Sequence, residues 1–359
     1  ELCVGCKGCK RECPTGVDMA RMKIEFRHAW NRRHGLSLGE RLIAYLPRYA
    51  PYAAALAPAM NLRNRLPTLA ALGEVWLGFS RRRRLPAWRR DWLREAEAIA
   101  TSARAGTRGN GRTVALFVDT FSRYFEPENA RAAIAVLTRA GYDVIVPRAP
   151  EGGRPLCCGR TFLAEGLVEQ ARIEATRMLA ALKPYVARGV KVVGLEPSCL
   201  FTLKDEFLAL LPGAEAKALA ANALMFEEFV AEEAQSGRFA IEFAPLAMRT
   251  ALVHGHCHQK AFAAVGAVST ALRLVPELEV KIIEASCCGM AGAFGYEAAH
   301  HGVSMKMAEL SLLPAVRAAA PDTVLVADGT SCRHQIHDGT GRTAVHVARV
   351  LEQALAGTG

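Results

Sequence analysis

From residue 112 onward, apolar runs rich in β-branched residues alternate with stretches of helical period, and the alternation occurs twice. The first pass has its runs at 113–118, 143–146 and 191–195; the second has them at 250–253, 280–283 and 323–326. Successive runs begin about 30 and 48 residues apart in the first pass and about 30 and 43 in the second. Amphipathic stretches fill the gaps at 129–140, 164–187, 268–274 and 303–318. Strand, helix and strand in succession predict right-handed crossovers and a parallel sheet. The pattern therefore predicts an α/β protein with two duplicated parallel-sheet units, joined by a helical segment at 208–236.

Ahead of these units the pattern is helical. Asp18 is placed to cap a helix running to about His34, with Gly35 as its stop; Met19, Met22, Ile24, Phe26 and Trp30 supply its apolar positions. Residues 38–80 read as short Ala/Leu-rich helices punctuated by Pro47, Pro51, Pro58 and Pro67. No stretch reaches the roughly 18 uninterrupted apolar residues of a membrane span. Arg81 to Arg84, then Trp88, Arg89, Arg90 and Trp92, form a basic segment with interleaved aromatics. It reads as a solvated arm or docking loop, with a peripheral membrane contact as the sharper alternative. The stretch 101–111 (TSARAGTRGNG) is a linker by composition; its glycines precede a strand instead of following one, so it is not a phosphate loop. The expected divisions are 1–35, 36–111, 112–236 and 237–359.

Charge sharpens the picture of the N-terminal third. The chain of 359 residues is 51% hydrophobic and 22% charged, as a folded protein should be. Its net charge of +10 is uneven: residues 1–112 hold 22 basic and 9 acidic side chains, and the remainder holds 23 and 26. An acidic partner surface, anionic lipid or another domain is the expected neighbour of the basic part. No nucleic-acid recognition motif accompanies the charge, so no nucleic-acid partner is expected.

The eleven cysteines carry the chemistry. Cys3, Cys6, Cys9 and Cys13, the last followed by Pro14, have the C-x2-C-x2-C-x3-C-P spacing of a bacterial ferredoxin run, which wraps a [4Fe–4S] cluster. In two-cluster ferredoxins the fourth cysteine serves the other cluster, so Cys13 is expected to face away from Cys3, Cys6 and Cys9. A structural zinc site more often uses separated pairs or mixed Cys/His spacing, and a disulfide framework suits a small secreted domain. The run begins at once after Glu1, and the chain reads as the C-terminal portion of a longer polypeptide cut within an iron–sulfur module. An odd cysteine count with two adjacent pairs, and no signal peptide at the start, points to a reducing cytoplasm; the inner face of the membrane is the extension of that reading.

Each remaining cysteine follows a strand. Cys157 and Cys158 follow the second run and Cys199 the third; Cys257, Cys287, Cys288 and Cys332 follow the three runs of the second unit. In a parallel sheet the carboxyl ends of the strands share one edge, so these residues are expected to converge there. The second unit supplies four thiolates, enough for a metal cluster. The first is a weaker set of three, because Val118-Asp119-Thr120-Phe121 stands where Cys257 would be. Free cysteines are often merely buried apolar residues, but two Cys-Cys-Gly tripeptides at matching places weaken that alternative. Gly289, Gly292 and Gly295 are expected to bring backbone N–H groups to the sulfurs. Among several nearby histidines, including His254, His300, His301, His334 and His337, the candidates for a proton relay are His256 and His258.

This combination resembles a known group of proteins. The Cys-Cys-Gly duplication resembles the cysteine-rich domains of the heterodisulfide reductases and of the iron–sulfur subunits of glycolate oxidase, anaerobic glycerol-3-phosphate dehydrogenase and lactate-utilisation complexes. The opening LCVGCKGCKRECPTGVDMARMK, with HGHCHQKA, SCCGMAGAFGYE and DGTSCRHQI, is more similar to FAD-linked oxidases fused to an iron–sulfur tail, like the bacterial D-2-hydroxyglutarate dehydrogenases. The resemblance implies a helical ferredoxin-like N-terminal part followed by two cysteine-rich α/β units. It also implies an FAD domain or subunit, upstream of this sequence, that oxidises a 2-hydroxy acid and passes electrons through these sites to a quinone or other acceptor. Heterodisulfide reductase relatives carry five cysteines per unit, ending in C-x-x-C, and hold a non-cubane [4Fe–4S] cluster. Here Cys199 and Cys332 lack that last partner: Glu196 and Gly329 lie three residues before them, Thr202 and Gln335 three after. What carries over is a four-thiolate cluster on Cys257, Cys287, Cys288 and Cys332, with zinc as the alternative. A reductase acting at such a cluster and a zinc-filled docking scaffold are the competing functions.

Overall fold

The computed structural model describes residues 2–94 and 112–356; the stretch 101–111 read as a linker lies outside the described residues. Each unit is a four-stranded, wholly parallel sheet. Unit 1 contains β1 (Thr113–Phe117), β2 (Asp143–Ile145), β3 (Lys191–Gly194) and β4 (Ala223–Met225), in the order β2-β1-β3-β4. Unit 2 contains β5 (Thr250–Val253), β6 (Glu279–Ile282), β7 (Val324–Val326) and β8 (Ala344–Val345), in the order β6-β5-β7-β8. The two sheets share one topology.

The pattern of hydrophobic residues predicts only three strands per unit, and the fourth of each is a correction. β4 lies inside the segment read as helical, 208–236, between helices Ala214–Asn222 and Phe226–Gln235. It has three residues, none β-branched, and its strand conformation comes from pairing Val192 with Ala223 and Gly194 with Met225. β8 has two residues. Neither is long enough to show a period of its own.

Val114, Ala115 and Leu116 of β1 are inaccessible on both faces, as befits a central parallel strand with helices on either side. The units then share one apolar core. Helix Pro127–Arg139 of unit 1 packs on Val347–Gln353 of unit 2, and Phe226–Gln235 packs on Val265–Leu272. Ile134, Leu137, Phe226, Phe229, Val268, Leu272, Val347 and Leu351 are continuous in that core. Polar contacts join the units near the carboxyl ends of β3 and β7. Glu196 accepts from the Thr330 N–H at 2.8 Å, His346 Nε2 lies 3.0 Å from the Leu195 carbonyl, and Arg333 pairs with Glu126.

In the N-terminal part, Asp18 accepts from Arg21 N and caps a helix over Met19–His34, which Gly35 ends at φ 74°. Helices Leu38–Ala44, Leu46–Ala55, Ala57–Met60 and Pro67–Leu77 follow, with a 3₁₀ turn at Asn61–Asn64. Pro47, Pro58 and Pro67 sit in the first two positions of their helices, where no N–H is needed. The basic segment is not a solvated arm. Arg83 is buried, donating from Nε to the Gly295 carbonyl at 2.9 Å and from Nη2 to Ser304 Oγ at 3.1 Å, and pairing with Asp338 at 2.9 Å. Trp88 packs on Phe125 and Trp92 on Tyr124. The segment straps the helical part to both units, and the buried Arg83 guanidinium is partnered at each of its nitrogens. Arg81, Arg82 and Arg84 stay exposed. Among the described residues, no helix is long and apolar enough to cross a membrane.

Candidate metal centre

Unit 2 gathers its four cysteines from three strand ends. After β5, the helix Cys257–Ala261 starts with His256 as its cap: His256 Nδ1 accepts from His258 N at 3.1 Å, and its own N–H donates to Gln259 Oε1 at 2.8 Å. Gln259 is fixed in turn, donating to Glu227 at 2.5 Å and Asp328 at 2.9 Å. This buried network sets Cys257 on the first turn. Cys287 and Cys288 follow β6; Cys332 lies in the first turn of Thr330–Thr340, after β7. The Cys288 and Cys332 sulfurs are 3.4 Å apart, and Cys257 neighbours Cys287.

Gly289 has φ 82°, donates its N–H to Cys287 Sγ at 3.4 Å, and would drive a Cβ into the Ser304 carbonyl. Only glycine serves there. Gly295, also expected to donate to sulfur, instead donates its N–H to the Met290 carbonyl, and Gly292 holds a left-handed φ of 65°.

The sequence singles out His256 and His258; the structure adds His254. A ring nitrogen of His254 and the sulfurs of Cys288 and Cys332 lie within 4.8 Å of one another, the one group among the described residues tight enough to share a single ion. His256 sits beside Cys257, with Nδ1 3.9 Å from the sulfur, and its ring fills the space a side chain at Gly329 would need. His258 Nε2 lies 3.1 Å from the Gly5 carbonyl. Burial opposes protonation of His256, but the Cys257 thiolate and Glu196 outweigh it and raise its pKa; burial and Arg160 hold His258 well below its ordinary range. His334 and His300 are engaged elsewhere, with the Tyr296 hydroxyl at 2.5 Å and Glu297 at 2.7 Å.

Lys260 is a second residue that sequence reasoning misses, though it stands one helical turn after Cys257. Its ammonium donates to the carbonyls of Ala285 and Ser286, its pKa is held below the usual range by burial, and all four thiols feel its charge. Hydrogen bonding with Cys257 lowers the Cys287 thiol, but hydrogen bonding with Cys288 and burial outweigh it and push the thiol up to about 12. Buried, mutually repelling sulfurs with one lysine nearby favour a bound soft cation, which deprotonates its thiol ligands outright. The donor set thus fits an iron–sulfur group or zinc.

The N-terminal run docks against this site. The Cys6 thiol, raised mainly by burial, feels Cys257 as well as Cys9 and Cys3. Met19 N–H donates to Cys9 Sγ at 3.3 Å. Cys13 turns to Thr15, whose hydroxyl lies 3.1 Å away and lowers its pKa. Lys7, in the left-handed region at φ 60°, buries its ammonium among Asp18, Asp205 and Glu206 at 3.1, 2.6 and 2.9 Å. That cluster fastens the run to unit 1 while Gly5 meets His258 of unit 2.

In unit 1, Cys157, Cys158 and Cys199 are buried, Gly159 N–H donates to Cys157 Sγ at 3.3 Å, and Cys158 neighbours Cys199. Thr120 occupies the place of Cys257 and Asp119 that of His256, capping its helix through Phe121 N and Ser122 N. A largely apolar cavity of about 800 Å³ adjoins the cysteine site of unit 2. Cys3, His256, Cys257 and His258 line one part of it; Leu42, Leu46, Tyr49, Leu69, Leu72, Trp76, Phe121 and Phe125 line the rest.

No protein-family profile matches the chain. Among curated proteins it is similar to the D-2-hydroxyglutarate dehydrogenase of Escherichia coli K12, 25% identical over 352 residues, covering 94% of this chain and 33% of that protein. It is similar to the Pseudomonas putida protein of the same name, 26% identical over 376 residues, covering 98% and 34%. It also matches a subunit of the anaerobic glycerol-3-phosphate dehydrogenase of Escherichia coli K12, 25% identical over 305 residues, covering 84% and 73%. The chain spans about a third of the length of the D-2-hydroxyglutarate dehydrogenases it matches.

Proposed function

We propose that this chain is the iron–sulfur electron-transfer part of a flavin-linked 2-hydroxy-acid dehydrogenase, working with an FAD-binding domain or subunit. The observation that carries the reading is the placement of the ferredoxin-spaced run directly against the four-cysteine centre of unit 2, with His258 bridging to Gly5 and Cys6 beside Cys257. Cys3, Cys6 and Cys9 would hold a [4Fe–4S] cluster and Cys257, Cys287, Cys288 and Cys332 a second iron–sulfur group. Bound, these groups supply one-electron carriers. The chain's own residues tune them: Lys260 offsets thiolate charge, the Gly289 N–H bonds a sulfur, and burial sets the dielectric. The pair Cys157–Cys158 with Cys199 is the weaker site.

The apolar cavity supports a quinone, a hydrophobic two-electron acceptor, as the exit. Its walls suit an apolar ring and tail, and buried His256 and His258 lie where protons must accompany electrons. A cytoplasmic enzyme resting at the inner face of the membrane fits the basic N-terminal third. Anaerobic purification followed by iron, acid-labile sulfide and zinc analysis tests the assignment. Equimolar iron and sulfide bound through both cysteine sets supports it; protein that binds zinc alone, or no metal after reconstitution, refutes it. The 3.4 Å spacing of Cys288 and Cys332 favours a zinc-holding docking scaffold as the second reading, and the same analysis separates the two.

A further inference from the structure

We propose that His254 is a metal ligand whose imidazole shares one metal position with the thiolates of Cys288 and Cys332. The nature of the metal rests on the iron–sulfur reading above; the ligand assignment rests on geometry. His254 extends β5, its N–H donating to the Val326 carbonyl at 2.8 Å, so its backbone is pinned between the two central strands of the sheet. The side chain is buried, and neither ring nitrogen has a hydrogen-bond partner among the described residues. A buried imidazole left so is unusual, because one nitrogen must donate and the other accept. Its neighbours in sequence are engaged: His256 accepts through Nδ1, and His258 meets Gly5 through Nε2. One ring nitrogen of His254 instead lies within 4.8 Å of two sulfurs that are themselves 3.4 Å apart. One ion can span such a triad with bonds of about 2.3 Å to sulfur and about 2.0–2.1 Å to nitrogen.

Unit 1 provides the internal comparison. Counting back two residues from the helix caps Asp119 and His256, the position of His254 is held by Phe117. The imidazole and the thiolate of Cys257 are therefore missing from unit 1 together, replaced by Phe117 and Thr120. A buried aromatic suffices for packing at that place; the nitrogen is an addition made in the unit that has four thiolates. Neutral imidazole adds a donor beside the four thiolates without adding a further negative charge.

The test uses the full chain reconstituted anaerobically with iron and sulfide, with pulsed EPR of the reduced protein and X-ray absorption at the iron and zinc edges. The expected result is a ligand-strength ¹⁴N coupling that converts to ¹⁵N on labelling histidine. It disappears in His254→Phe, which keeps the bulk of the unit 1 residue, and persists in His258→Gln. His254→Cys should restore metal content with an all-sulfur shell, showing that a donor and not a ring is needed. Iron and sulfide bound at unit 2 with no such coupling would overturn the ligand assignment and leave the iron–sulfur reading standing. Zinc alone, in a mixed nitrogen–sulfur shell that becomes all sulfur in His254→Cys, would uphold the ligand and overturn the iron–sulfur reading.

Discussion

Units 1 and 2 share a sheet order, a Cys-Cys-Gly tripeptide after the second strand and a cysteine three residues past the cap of the helix after the third. They differ at the end of the first strand. Unit 2 has His254, His256, Cys257 and Lys260; at the matching places unit 1 has Phe117, Asp119, Thr120 and Arg123, the last donating to the Leu93 carbonyl at 3.0 Å. The lesson is that the fold places donors at the strand ends, while a few side chains on one loop decide how many donors there are. Asp119 shows the cost of the change. Burial and the nearby Glu196 push its carboxyl up to about 6, and its Oδ2 has no hydrogen-bond partner among the described residues. Unit 1 thus presents a buried carboxyl where unit 2 presents imidazoles and an ammonium.

The largest effect that separates the units is on metal content. Cys332→Ser should abolish metal binding at unit 2, whereas the matching Cys199→Ser should leave iron and sulfide per chain nearly unchanged; metal analysis of the two variants checks this. Equal losses would break the asymmetry. Next comes the joint between the units. Glu126→Gln leaves the buried Arg333 charge without its partner and should destabilise the protein by about 3 kcal/mol in urea unfolding. Burial raises the Glu126 pKa, but Arg333 outweighs it and brings it down to about 2. A depressed carboxyl contributes stability above its unfolded pKa, so about 3 kcal/mol should be lost as pH falls from about 4.5 to about 2. Glu126→Gln should flatten that part of the stability–pH curve.

A smaller, opposite effect sharpens the comparison. Thr120→Cys supplies unit 1 with a fourth thiolate at the Cys257 position and should add a fractional increment of metal per chain, enlarged when combined with Phe117→His. Smallest is the acceptor cavity. Leu46→Ser should weaken a short-chain quinone analogue about tenfold, read as reduced quenching of tryptophan fluorescence, consistent with loss of one apolar side chain from the wall.

The duplicated strands, the helix over Met19–His34 and the convergence of Cys257, Cys287, Cys288 and Cys332 were legible because each leaves a periodic or spaced mark on the chain. β4 and β8 were not, since two or three residues carry no period and only pairing makes them strands. The fate of the Arg-rich segment was illegible for another reason: nothing local marks Arg83 as the arginine that meets Gly295, Ser304 and Asp338, more than two hundred residues away. Lys7 is similar, a lysine between two cysteines whose carboxylate partners Asp205 and Glu206 come from unit 1. His254 left a trace, a histidine three residues before a cysteine at a strand end. Its distinction from His256 and His258 depends on which ring nitrogens the fold occupies.

The central claim is that the N-terminal run and unit 2 hold adjacent redox centres on one path. A potentiometric titration of the anaerobically reconstituted chain, followed by EPR, tests it most directly. Two reducible iron–sulfur signals are expected that split or broaden each other once both are reduced, with one of them lost in Cys288→Ser. A single isolated signal that survives Cys288→Ser, with zinc or nothing at unit 2, would contradict it.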